Sequence, residues 1–420
     1  MAPWVSRSAL DLLVPSLVHP SSRTLRRYLK RLHRRGEGLE RGEGILSRVA
    51  TRRIEVHVFR TLLAKGIDPR ILLFDTTNFF PYCRGGSLWK RAHGKEKRDD
   101  KLHVGLGMVT QGNLPCLTEV YPANEADPRV FARVFDTLVK RLVDLEVSSK
   151  KLIMVFDRGI NSEPNFALVT EAMHVIAALN RSHARKLFEV PREGFHEVTK
   201  DREGRSVLGY GTRWEGFGQD WRVLVVYRKS EGEHDRKAWE EIRAQVLAGV
   251  EKLRKAPARQ EKALWRKLTE FVPRDYSSEF EVRVEVVKVK RKGKPAKGYL
   301  PVVRVNEDAE ARRIAPFGKT ALITDLPTEG LSDAELVEGR TARAQIEEDF
   351  RWLKDRHVVS VKPFSLWHHG TVPGHIFLCV MGLLLLRHLQ WELRELKLSM
   401  PKLVELLERI RVVLVRGPEG

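Results

Sequence analysis

Two aspartates in this chain close apolar runs. Asp75 follows Ile71-Leu72-Leu73-Phe74, and Asp157 follows Leu152-Ile153-Met154-Val155-Phe156. Such runs read as buried strands, and strands disfavour Asp. A carboxylate at the end of a buried strand costs desolvation unless a partner offsets it. A third acid, Glu347, lies far downstream in a helical pattern, with Arg343 one turn before it and Lys354 two turns after. Where several carboxylates converge, a divalent cation is the usual compensation, and cations so held support phosphoryl transfer. Metal-dependent phosphoryl chemistry is the first expectation.

Helical periodicity selects Glu347 over its neighbours. At 3.6 residues per turn, Arg343, Glu347 and Lys354 fall within roughly 40° of one another around the axis. Ile346, Phe350 and Leu353 form the adjacent apolar stripe, Glu348 points away, and Trp352 lies nearly opposite the polar stripe. Asp325 also ends an apolar run but precedes Leu326-Pro327, a loop start, so it ranks below the other acids. The pair His368-His369 lacks a third ligand and reads as surface, while His375 reads as structural.

The elements that must position these acids follow from the pattern. A strand at 71–76 precedes a polar, basic loop at 84–101. Two more strands, from His103 to Val109 and from Leu114 to Val120, flank the turn signal Thr110-Gln111-Gly112-Asn113. Residues 128–145 have helical spacing through Val130, Phe131, Val134, Phe135, Leu138 and Leu142. The second acid-bearing strand spans 151–157, Ser162 is placed to cap a helix containing Leu168 and Ala172, and 174–179 is a further short strand. This order predicts a mixed sheet with helices on its faces. Residues 181–320 break the pattern, with strands at 207–212, 221–227, 279–290 and 299–305 and charged helices between about 234 and 272. The pattern resumes at Ala321-Leu322-Ile323-Thr324. Ser332 and Glu335 then form a capping box that is expected to start the helix carrying Glu347.

Charge points to the partner. The 420 residues carry 75 Lys and Arg against 55 Asp and Glu, a net charge of +20, which favours a polyanion such as nucleic acid. The basic residues cluster: residues 21–35 form an amphipathic pattern with Arg26, Arg27, Lys30 and Arg31 around Leu25, Leu29 and Leu32. A second cluster, Lys288 to Lys297 with Lys290, Arg291 and Lys292 at its centre, reads as a basic hairpin tip suited to a DNA backbone. The cysteines Cys83, Cys116 and Cys379 form no CxxC pair, which fits a reducing compartment and indicates no zinc module. The beginning Met1-Ala2-Pro3-Trp4 precedes no long apolar region, and the most apolar stretch, Ile376 to Leu386, reads as a core helix too short to span a bilayer. No membrane partner is expected.

Taken together, these motifs resemble the DDE transposases of bacterial insertion sequences. Leu73-Phe74-Asp75-Thr76-Thr77-Asn78 resembles the first catalytic strand. The segments His103 to Met108 and Tyr121-Pro122-Ala123-Asn124-Glu125-Ala126-Asp127 resemble the strands and loop that follow it. Phe156-Asp157-Arg158-Gly159-Ile160-Asn161-Ser162 resembles the second acid motif, and the stretch from Gln345 to Lys354 the third. The implied group carries a Tyr-x2-Arg-x3-Glu-x6-Lys signature. Arg343, Glu347 and Lys354 hold its last three positions, and Arg340 stands where the Tyr would be. Lys362-Pro363 and Gly374-His375-Ile376-Phe377-Leu378 resemble the group's downstream region.

The resemblance implies a ribonuclease H-like core: an α/β fold with a five-stranded mixed sheet and flanking helices, interrupted by a β-rich insertion. The expected division is a helical N-terminal region at 1–70 for DNA-end binding, core segments at 71–180 and 321–400, the insertion at 181–320, and a tail at 401–420. The implied catalytic residues and metal ligands are Asp75, Asp157 and Glu347, holding two Mg²⁺ or Mn²⁺ ions. Arg343, Lys354, Arg340 and Arg158 are the implied phosphate contacts near them, with the two basic clusters further out. The implied activity is cleavage at terminal inverted repeats and strand transfer into target DNA by a homodimer, in the cytoplasm at the bacterial nucleoid. The alternatives are a nuclease of the same fold without strand transfer, or an inactive DNA-binding derivative.

Overall fold

The computed structural model describes residues 48–66, 70–80, 88–92, 100–112, 114–292, 294–355, 357–359, 361 and 371–409. The expected basic helix at 21–35, with Arg26, Arg27, Lys30 and Arg31, lies outside the described residues, as do Lys362-Pro363 and His368-His369.

The chain opens with α1 (Arg48–Ala64), β1 (Ile71–Phe79), β2 (Lys90–Arg91), β3 (Leu102–Gln111), β4 (Leu114–Pro122) and α2 (Asp127–Asp144). Next come β5 (Ile153–Phe156), α3 (Glu163–Ala172) and β6 (His174–Ala178). β1 pairs antiparallel with β3, and β3 with β4, around a turn where Gly112 takes φ 51°. β1 pairs parallel with β5, and β5 with β6. The expected mixed sheet is therefore present, with its first three long strands antiparallel and β5 and β6 parallel to β1. Ser162 occupies the start of α3 but its side chain makes no capping bond.

The sheet continues further than the sequence pattern suggested. β7 (His196–Lys200), β8 (Ser206–Gly216) and β9 (Gln219–Arg228) join it through β12 (Lys319–Thr324), which pairs antiparallel with both β6 and β9. Ten of the described strands form one sheet in the order β2-β3-β1-β5-β6-β12-β9-β8-β7, with β4 also on β3. This corrects the expectation of five strands with a separate insertion from 181. The reason is burial: Val223, Leu224, Val225 and Val226 alternate between the two cores of the main sheet. The part with cores of its own comprises α4 (Lys229–Arg254), α5 (Glu261–Phe271), the hairpin β10 (Phe280–Arg291) and β11 (Lys294–Val305), and α6 (Glu307–Ile314).

The last elements are α7 (Asp333–Thr341), α8 (Arg343–Lys354), α9 (Thr371–Glu392) and α10 (Met400–Arg409). The Ser332–Glu335 capping box is present but starts α7, so Glu347 sits on a second helix after a break at Ala342. Thr341 Oγ1 donates to the Val337 carbonyl at 2.8 Å, and such back-bonding bends helices. The expected tail at 401–420 begins instead with α10, because Met400 and Leu403 bury against α9. α9 is longer than the expected core helix and apolar enough over Val372–Glu392 to cross a membrane by length and composition, yet half of that stretch is buried inside the fold.

Helices cover both faces of the sheet. Residues alternate in direction along a strand. On β1, Leu72 and Phe74 face α2 and α3, while Leu73 and Phe79 face α7, α8 and α9. By the same period Asp75 faces α8. On β5, Met154 and Phe156 join the first core and Ile153 and Val155 the second, so Asp157 emerges on the face of Asp75. Gly105 is required on β3, since a Cβ there would lie 2.3 Å from the ring of buried Tyr121.

Candidate active site

The parallel register places the two aspartates side by side. Leu73 pairs with Val155, and two residues further on in each strand stand Asp75 and Asp157. Asp75 is buried within β1, where its Oδ1 accepts the Thr76 N–H at 2.7 Å. Asp157 lies just past β5 and is half-buried. α8 lies against β1 through Ile346 and Leu353, which are fully buried, and this rotation turns Arg343 and Glu347 toward the strand ends.

Arg343 touches all three acids. Its Nη2 lies 3.3 Å from Asp75 Oδ2 and 3.1 Å from Asp157 Oδ2, and its Nη1 lies 2.9 Å from Glu347 Oε1. Acids from β1, the end of β5 and α8 thus converge on one guanidinium. Arg340, at the end of α7, reaches to 3.7 Å from Asp157 Oδ1. Burial and the neighbouring charge of Arg343 hold Arg340 down to about 10, against the pull of Asp157. Burial likewise holds Arg158 below the usual arginine value. The Nε atoms of Arg158, Arg340 and Arg343 are buried and find no hydrogen-bond partner. Polar groups left so are costly unless a further acceptor arrives.

The sequence from residue 66 to residue 361, well over half of the chain, matches the family model of the transposase DDE domain. The chain belongs to the DDE transposase family. Among solved structures it is similar to the piggyBac transposase in a synaptic complex with hairpin DNA, at 11% identity and TM-score 0.38, covering 96% of this chain and 66% of that one. It is also similar to the Mos1 transposase in a paired-end complex with the left transposon end, at 11% identity and TM-score 0.20, covering 41% of this chain and 57% of that one. The chain thus spans just under two thirds of the piggyBac chain. No curated protein sequence matches it.

The remaining residues singled out in the sequence of this DDE-family chain lie away from the three acids. Lys354 lies 5.7 Å from the centre of the Phe79 ring, near the far end of β1. That is four residues beyond Asp75, or about 13 Å of strand. Lys290 and Lys292 are exposed at the tip of the β10–β11 hairpin, with Arg291 ending β10, and no described contact joins that tip to the acids. Asp325 anchors a loop: it accepts the Val175 N–H at 2.8 Å and meets His174 Nδ1 at 2.7 Å. His375 is half-buried beside the Val361 carbonyl, consistent with a structural role.

Sequence reasoning missed two residues that hold the site. Asp349, fully buried on α8, binds Arg387 Nε of α9 at 2.6 Å, and Glu348 reaches the same guanidinium at 3.0 Å. Asp349 falls between the apolar positions Ile346, Phe350 and Leu353, and that position was the available signal. Among the described residues no group of three metal-binding side chains is closed around a common point. The donor set nonetheless fits a hard cation: three carboxylates gather there, two of them on one nitrogen of Arg343.

Proposed function

We propose that this chain catalyses cleavage at the terminal inverted repeats of a bacterial insertion sequence and strand transfer into target double-stranded DNA, acting as a homodimer at the nucleoid. The observation that carries the reading is the meeting of Asp75, Asp157 and Glu347 on one arginine. Family membership and the net charge of +20 support it. The order of β4, β3, β1, β5 and β6 supports a ribonuclease H-like core beneath the site.

Asp75, Asp157 and Glu347 would hold two Mg²⁺ or Mn²⁺ ions. Once bound, these would activate the attacking hydroxyl and neutralise the leaving oxygen. The chain's own groups divide the remaining work. Asp75 is the fixed ligand, pinned within its strand by the Thr76 N–H. Glu347 is 53% exposed, so its carboxylate is free to turn toward an arriving substrate. Arg343 and Arg340 present planar forks with an unused Nε–H each, suited to a phosphate's oxygens. Arg158 extends that positive edge. Lys354, Lys290, Arg291 and Lys292, with the basic residues of 21–35, serve DNA further from the cut.

The test is a cleavage and joining assay on donor ends with target DNA and Mg²⁺. Asp75→Asn is expected to abolish cleavage while retaining end binding, and full cleavage by that variant refutes the assignment. Wild-type cutting without joined products would reduce the reading to a nuclease. End binding without cutting would reduce it to a DNA-binding derivative.

A further inference from the structure

Arg343 grips the acids at atoms that a metal ion also needs. Its Nη2 lies 3.3 Å from Asp75 Oδ2 and 3.1 Å from Asp157 Oδ2, so one nitrogen bridges the two aspartates. The other Asp75 oxygen, Oδ1, accepts the Thr76 N–H. Arg343 Nη1 holds Glu347 Oε1 at 2.9 Å. A cation shared by these carboxylates therefore competes with one guanidinium for all three.

The charges balance as they stand. Asp75, Asp157 and Glu347 meet Arg343, while Arg340 lies 3.7 Å from Asp157 Oδ1 and Arg158 feels the pull of Asp157. Two divalent ions bring further positive charge into this balanced group. They also displace Arg343 without giving it a new partner. The Arg343 side chain is only 14% exposed, and both Arg340 and Arg158 feel its charge as a repulsion. Stranding a largely buried charge in this way is strongly unfavourable. A phosphodiester removes the obstacle. Its oxygens match the planar fork of an arginine, and its charge offsets that of the arriving ions.

We propose that Arg343 holds the three acids against free metal ions and yields them when a DNA phosphate takes its guanidinium. The inference rests on the metal and DNA reading above and adds an order to it. Arg343 has two successive partners, the carboxylates first and the phosphate second. Metal and DNA then support each other's binding, and by linkage each raises the affinity for the other by the same factor. Ions are admitted where a strand lies ready to be cut.

The experiment measures Mn²⁺ binding to the full chain from the paramagnetic resonance signal of the free ion, with and without a saturating element-end duplex. The Asp75→Asn, Asp157→Asn double variant with the same duplex is the blank for ions held by DNA alone. Without DNA, Arg343→Gln and Arg343→Ala are expected to bind Mn²⁺ at least about fivefold more tightly than wild type, the lower end of coupling between sites. Arg343→Lys, which keeps the charge, should stay nearer to wild type. The duplex should raise the wild-type affinity by a similar factor and that of Arg343→Gln by much less. Thermal midpoints check folding, and Mn²⁺ should raise those of the neutral variants more than that of wild type.

Equal or weaker Mn²⁺ binding by both neutral variants without DNA overturns the competition. So does a wild-type affinity that the duplex leaves unchanged, an outcome that needs no Arg343 variant to fold. In either case, Mn²⁺ binding that the double aspartate variant abolishes leaves the parent reading standing. Mn²⁺ binding indifferent to both aspartates, with and without DNA, removes both.

Discussion

Helix α8 carries two arginine–carboxylate clusters on different edges. On one, Arg343 faces Asp75, Asp157 and Glu347, with Asp157 37% and Glu347 53% exposed. On the other, Arg387 meets Asp349 and Glu348, with the Arg387 and Asp349 side chains at 4% and 0% exposure. The chemistry is the same and the access is not. The closed pair cannot exchange partners without unpacking α8 from α9, so it acts as a fixed joint that sets the rotation of the helix. The open cluster can trade its guanidinium for another cation or a phosphate at little cost in packing. A site that must receive ions and DNA needs the second arrangement, held in place by the first.

The largest effect that tests this contrast compares two adjacent glutamates. Glu347→Gln removes a carboxylate from the open cluster and should lower the cleavage rate by at least about 10³-fold, the scale of several kcal/mol of transition-state stabilisation. Glu348→Gln removes a half-exposed partner of Arg387 and should leave the rate within about threefold. Equal losses in both variants would mean that α8 is not rotated as described. The readout is single-turnover cleavage of an end-bearing duplex.

A smaller effect is expected in stability rather than in rate. Asp349→Ala leaves the buried Arg387 with the half-exposed Glu348 as its one remaining carboxylate among the described residues, beside its bond to Gln390, and breaking a buried pair in this way costs about 3–5 kcal/mol. Urea unfolding gives the value. The double change Asp349→Leu with Arg387→Met should cost less than Asp349→Ala alone, because no charge is then stranded. A double variant less stable than the single one would show that the pair is a net source of stability and not only a joint.

The acid site was legible because strand alternation, helix period and charge type are local properties. Asp75 and Asp157 each follow an apolar run, and period two puts them on one face once β1 and β5 pair in parallel. Glu347 was separated from Glu348 by its angle to Ile346 and Leu353. The break at Ala342 was not legible, since a capping box marks where a helix begins and says nothing of how far it runs. The extent of the sheet was hidden for a related reason. Strand β9 reads as a buried strand whichever sheet it joins, and its pairing with β12 is a contact across about a hundred residues. The position of Asp349 among apolar residues was a trace of its burial, but its partner Arg387 lies on another helix, and no local pattern joins the two.

The closed cluster also carries a pH response. Burial pushes Asp349 up from 3.8 to about 7, outweighing the pull of Arg387, and its second oxygen accepts no hydrogen bond. Glu55 of α1, buried against Arg141 of α2, is pushed from 4.5 to about 7 by the same cause. For both groups the folded chain holds a proton that the unfolded chain has already released. Their stabilisation is full below the unfolded values and is lost as pH rises toward 7. Surface acids such as Glu335, whose capping bonds from Ser332 depress it, act in the opposite sense and mainly below its ordinary value of 4.5. Between about pH 5 and 7.5 the buried pair of acids should therefore dominate, and stability should fall by on the order of 1–3 kcal/mol. Glu55→Gln and Asp349→Asn, which stay neutral throughout, should each flatten the profile. Urea midpoints across that range decide the matter. A profile that rises with pH, or one that neither Asp349→Asn nor Glu55→Gln flattens, would show that these buried carboxylates do not set the response.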